Sequence, residues 1–125
     1  MYSVSVSRAC IAQHYLTVPN PGPEGTLHSH RFDIEASFHG PELNEYGYLV
    51  DIDAVIAALE AVVGEVRDRT LNDMSAFDGL NPSAERLAKH VGDQLLDRLD
   101  PETATELAVR VREDEVAEVV HKRAI

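Results

Sequence analysis

Apolar and polar positions alternate from Tyr2 to His14, with Tyr2, Val4, Val6 and Arg8 on one parity and Ser3, Ser5, Ser7 and Ala9 on the other. That period of two, carried by β-branched valines, predicts a strand running toward His14. Residues 17–26 hold three prolines and two glycines, so they cannot continue a ladder and are expected to form a loop. Loops of this length often carry function. Alternation resumes over residues 27–39, where His28, His30, Phe32, Ile34, Ala36 and Phe38 fall on one side of a second strand.

The period changes after a turn-rich stretch from His39 to Gly47 and a brief extension at Tyr48-Leu49-Val50. Asp51, with Asp53 close behind, stands where an N-cap belongs. Beyond it Ile52, Val55, Ile56, Leu59, Val62, Val63 and Val66 recur at three and four, the spacing of an amphipathic helix. Residues 67–80 read as irregular and polar. Asn81-Pro82-Ser83-Ala84-Glu85 then predicts a second helix, with Asn81 as its cap and Pro82 at its first position. Ala84, Leu87, Ala88, Val91, Leu95 and Leu99 form its inward face, and Asp100-Pro101 ends it. Two more strands are expected over residues 107–113 and 116–121, with Asp114-Glu115 between them. The order ββααββ predicts an α+β fold in one domain, residues 1–125, with two helices covering one face of a four-stranded antiparallel sheet.

Charge narrows the partners. The chain carries 22 acidic and 11 basic residues, a net charge of −11, which argues against a nucleic-acid partner because little could neutralise a phosphate backbone. Only Lys89 and Lys122 are lysines, and an acidic, lysine-poor surface suits a salt-rich cytoplasm. No run approaches the ~18 apolar residues of a membrane span, and no basic segment followed by an apolar block opens the sequence. The expectation is a cytoplasmic protein with no membrane partner. The single cysteine, Cys10, permits no internal disulfide, in keeping with a reducing compartment.

The chemistry gathers at His28-Ser29-His30. On a strand these two imidazoles share one side, at the edge of an otherwise apolar face, and His14 ends the strand before it. A third imidazole from that neighbour would give three nitrogen ligands, the set of a catalytic zinc site with an open fourth position. Two partly buried, hydrogen-bonded histidines would produce the same spacing. His39, His90 and His121 stand apart from the cluster and are expected to be structural.

The motifs in order are a histidine ending the first strand, a His-x-His pair opening the second, and Gly47 and Asp51 before the first helix. Leu71-Asn72-Asp73 lies between the helices, Asn81-Pro82-Ser83-Ala84-Glu85 opens the second, and Glu113 ends a C-terminal strand. In this order, over nearly the whole chain, the sequence resembles the 6-pyruvoyl-tetrahydropterin synthase and 6-carboxy-tetrahydropterin synthase (QueD) family. The resemblance implies a tunnelling fold (T-fold) whose subunits join their sheets into rings, as trimers or hexamers. It implies Zn2+ on His14, His28 and His30, and a pterin ring held by Glu113. It also implies chemistry on the side chain of 7,8-dihydroneopterin triphosphate or a related dihydropterin.

Two departures bear on that chemistry. Family members carry a basic cysteine a few residues before the His pair and an Asp-His pair before Leu-Asn-Asp. Here Glu24 stands four residues before His28, and Arg67-Asp68-Arg69 occupies the second place. One branch of the family uses glutamate and releases 6-hydroxymethyl-dihydropterin, with its glutamate one residue closer to the pair. Glu24 is therefore the expected proton-transfer residue, with Asp68 as a possible helper, in an elimination or carbon–carbon cleavage. Glu24 is otherwise a solvated loop acid. Cys10 shares a strand parity with His14 but reads as a small buried residue. The alternatives are the 6-carboxy-tetrahydropterin reaction of deazapurine biosynthesis and a non-catalytic pterin- or purine-binding T-fold.

Overall fold

The computed structural model describes residues 1–125. Four strands, β1 (Tyr2–His14), β2 (His28–Gly40), β3 (Glu106–Glu113) and β4 (Ala117–Ala124), form one antiparallel sheet in the order β1-β2-β3-β4. Helices α1 (Ile52–Val66) and α2 (Ala84–Arg98) cover one face, α1 mainly on β1 and α2 on β3 and β4. The α+β architecture expected from the pattern is the one observed.

Each layer follows from its period. The side of β2 bearing Phe32, Ile34, Ala36 and Phe38 is fully buried against the helices. Both helices bury positions i, i+3, i+4, i+7, i+8 and i+11: Val55, Ala58, Leu59, Val62, Val63 and Val66 on α1, and Ala84, Leu87, Ala88, Val91, Gly92 and Leu95 on α2. Gly92 leaves room for the Arg123 guanidinium from β4; a Cβ there would stand 2.6 Å from Nη2. Arg123 donates to Asp93 Oδ1 at 2.6 Å and to the Lys89 carbonyl at 2.9 Å, so it fastens β4 to α2.

Several boundaries differ from the sequence reading. Asp51 caps α1 as expected, accepting from the Ala54 N–H at 3.2 Å. The cap of α2 is Ser83, whose Oγ accepts from the Arg86 N–H, and Asn81 and Pro82 lie outside the helix. Tyr48-Leu49-Val50 joins no strand, although Leu49 and Val50 are buried. The stretch 67–80 contains two 3-10 turns, Leu71–Asp73 and Ser75–Phe77, and each sends one side chain, Leu71 or Phe77, into the core. No helix is long and apolar enough to cross a membrane.

Leu59→Ala removes a fully buried side chain between helix and sheet. It should cost about 2–5 kcal/mol of stability in urea unfolding, and a loss well under ~1 kcal/mol would contradict this packing. His90, packed against Phe77 with ring centroids 5.3 Å apart, has its pKa lowered by burial, partly offset by Asp93 and Glu65. The unfolded chain therefore takes up this proton first as pH falls. His90→Gln should remove a loss of stability that sets in between about pH 7 and pH 5, and removal of a slope of opposite sign would contradict the assignment.

Candidate functional site

The register of β1 on β2 places His14 directly opposite His28, the last pair of a ladder that begins at Tyr2 and Gly40. His30 lies two residues along β2 on the same side. The ring centroids are 4.6 Å apart for His14 and His28, 5.2 Å for His14 and His30, and 4.7 Å for His28 and His30. The rings meet at steep angles of 64–86° and do not stack. One ligand atom from each lies within 4.8 Å of the others.

Hydrogen bonds decide which atoms face the centre. His14 Nδ1 is 2.8 Å from the Pro82 carbonyl, and His28 Nδ1 is 2.8 Å from the Thr26 carbonyl. His30 Nδ1 meets Asp114 Oδ2. Carbonyls and carboxylates only accept, so each neutral ring carries its proton on Nδ1 and turns the Nε2 lone pair inward. His28 Nε2 and His30 Nε2 are buried with no hydrogen-bond partner. A buried orphan costs about 1–3 kcal/mol, and two converging orphans fit a site completed by a cation. Burial pushes the His14 pKa down, and the neighbouring His28 and His30 push the same way, against the Pro82 hydrogen bond and Glu113. The ring is thereby kept neutral and able to ligate.

The motifs between and before the helices hold this strand end in place. Asn72 makes two bonds to Tyr15, accepting its N–H at 3.0 Å and donating to its carbonyl at 2.9 Å. Asn81 Oδ1 accepts from the Thr17 N–H at 2.9 Å. Pro82, outside the helix, has a carbonyl free for His14. None of these partnerships is local in sequence, so capping rules could not have found them.

Glu113 pairs with Phe32 across β2 and β3, which puts it on the histidine side of the sheet. Its Oε1 lies 3.8 Å from His30 Nε2. The next two residues turn the chain with positive φ, 51° at Asp114 and 68° at Glu115, and Val116 N–H closes on the Glu113 carbonyl at 2.8 Å. Such backbone costs about 1–3 kcal/mol per non-glycine residue. Asp114 uses the turn to place both carboxylate oxygens, Oδ2 on His30 and Oδ1 on the Arg31 N–H at 2.7 Å. Those two bonds, the His30 bond first, hold its carboxyl below the usual carboxylate range. The sequence reading missed Asp114 except as a turn residue; an acid next to Glu113 at a hairpin was the available signal.

The other expected residues are placed less closely. Glu24 is exposed on a 3-10 turn, Gly22–Gly25, whose Glu24 carbonyl accepts from the Leu16 N–H, two residues past β1, at 2.8 Å. It therefore lies in the loop joining the two histidine-bearing strand ends, with no hydrogen bond to its carboxylate. Asp68 is exposed at the outer edge of β1, its N–H on the Ile11 carbonyl at 2.7 Å, and it does not join the three-histidine group. Cys10 is buried, and burial raises its thiol pKa. His39, His90 and His121 also lie outside the group.

No curated protein matches this sequence. Solved structures share its fold. The 6-pyruvoyl tetrahydropterin synthase of Caenorhabditis elegans is 17% identical, with 98% of this chain and 97% of that one covered and a TM-score of 0.78. A Plasmodium vivax 6-pyruvoyltetrahydropterin synthase, in which a glutamate described as catalytic is replaced by alanine, is 13% identical over 99% and 98% of the chains, with a TM-score of 0.82. The Plasmodium falciparum enzyme is 14% identical over 98% and 99%, with a TM-score of 0.78. The family model for 6-pyruvoyl tetrahydropterin synthase matches residues 3–124, and the chain belongs to that family.

Proposed function

We propose that this protein is a zinc-dependent lyase acting on the side chain of 7,8-dihydroneopterin triphosphate or a related dihydropterin, by elimination or carbon–carbon cleavage. The observation that carries the reading is the convergence of three imidazoles, two with orphaned Nε2 atoms, beside the Glu113 carboxylate. Three imidazole nitrogens suit zinc among the common divalent ions. His14, His28 and His30 would hold it, and when bound it supplies Lewis-acid polarisation of the substrate's side-chain oxygens.

The chain's own groups would do the rest. Glu113 can accept two parallel N–H bonds from the guanidine-like edge of a pterin ring and so orient the side chain toward the histidines. Glu24 is the proton acceptor in this reading, because the mobile proton needs a base and the only cysteine is buried on β1. The Plasmodium vivax relative, whose glutamate is described as catalytic, supports a carboxylate in that role. The absent cysteine weighs against the 6-carboxy-tetrahydropterin reaction.

Assembly belongs to the same reading. β4 has a neighbour on one side only, and the outer edge of β1 is covered only around Ile11–Gln13, by residues 68–70. Open edges favour pairing with further copies into a ring of trimeric or hexameric order. Asp68, on that edge, would assist only if a neighbouring copy's site came against it. The exposed, unpartnered Glu24 favours the second reading, a pterin-binding protein without turnover.

Incubation of zinc-loaded protein with 7,8-dihydroneopterin triphosphate, followed by mass analysis, separates these cases. Lyase activity predicts a hydroxymethyl or pyruvoyl product; bound metal with unreacted substrate would establish the binding protein instead. Glu24→Gln should lower turnover by about 10²-fold or more. Unchanged turnover would remove Glu24 from the mechanism.

A further inference from the structure

We propose that Asp114 is a positioning residue that holds His30 in its metal-binding tautomer, with the turn from Glu113 to Val116 as its mount. The inference rests on the reading of His14, His28 and His30 as metal ligands. Of the three groups that accept from the imidazole Nδ1 atoms, those on His14 and His28 are backbone carbonyls, of Pro82 and Thr26. The fold supplies them whatever their side chains. Only His30 depends on a side chain, that of Asp114.

The geometry is that of a carboxylate built to stay in place. With Oδ1 on the Arg31 N–H at 2.7 Å, the group is anchored to the backbone next to His30. Oδ2 then fixes both the proton and the plane of the ring. A carboxylate also makes the far nitrogen a stronger donor to a metal than a carbonyl would. The residue reaches this position because the chain takes up positive φ at Asp114 and again at Glu115, where neither residue is glycine. Asp suits positive φ in any such turn; what the turn itself does not call for is a carboxylate bonded at once to His30 and to the Arg31 N–H.

Two substitutions separate positioning from turn formation. Asp114→Asn keeps the tolerance for positive φ and an oxygen for Arg31, but presents an amide N–H to His30 Nδ1 and so favours the proton on Nε2, which blocks ligation. Asp114→Gly keeps the turn and removes the acceptor. Nitrogen-15 NMR of the metal-free protein should show His30 as the Nδ1–H tautomer in the wild type and shifted toward Nε2–H in Asp114→Asn, with His14 and His28 unchanged. Zinc affinity, by chelator competition, should fall about 10- to 100-fold in both variants, at unfolding temperatures near that of the wild type. An Nε2–H tautomer of His30 in the wild type, or wild-type zinc affinity in both variants, overturns the proposal. A wild-type protein that binds no zinc overturns the metal reading instead, and the tautomer still decides the role of Asp114.

Discussion

The structure depends on the pairing of β1 with β2. Thirteen residue pairs, from Tyr2 with Gly40 to His14 with His28, run without interruption. Because side chains alternate, a slip of one residue would turn His28 and His30 to the opposite face of the sheet and Phe32, Ile34, Ala36 and Phe38 out of the core. The register that buries the core is therefore the register that gathers the histidines. Packing under α1 and α2 thus maintains the strand geometry on which the site is built.

A strand end would normally fray, and the chemistry sits at one. The segments leading into the helices prevent it: Asn72 grips Tyr15, Asn81 grips Thr17, and the Pro82 carbonyl orients His14. The opposite side is closed by the β3–β4 hairpin, whose turn delivers Glu113 and Asp114 to the two nitrogens of His30. The histidines are thus held by elements from distant parts of the chain. The loop bearing Glu24 is tied through backbone bonds at Leu16, Thr17 and Thr26, and the Glu24 carboxylate itself has no partner.

Much of this was legible in the sequence because it is periodic. Alternation located β1 and β2, the three-four spacing located both helices, and strand parity put His28 and His30 on one side, whereas the side taken by Glu113 follows only from its pairing with Phe32. What escaped depends on long-range partners. Asn81-Pro82-Ser83 offers two acceptable caps, and Ser83 serves because the Asn81 side chain is engaged by Thr17 across the loop. Leu71 and Phe77 sit in a stretch that looks polar, and only the 3-10 turns around them reveal their burial. Asp114 reads as a turn residue until the hairpin folds it back on His30. Asp68 has the composition of a helper and the position of an edge residue, a distinction that sequence order does not carry.

The central claim is that the β1–β2 register brings His14, His28 and His30 together as a three-imidazole site for one metal ion. X-ray absorption at the zinc edge of the metal-loaded protein tests it most directly. The account predicts three imidazole nitrogens and one further light-atom ligand per ion, with no sulfur. Fewer than three imidazoles, or a sulfur ligand from Cys10, would contradict it.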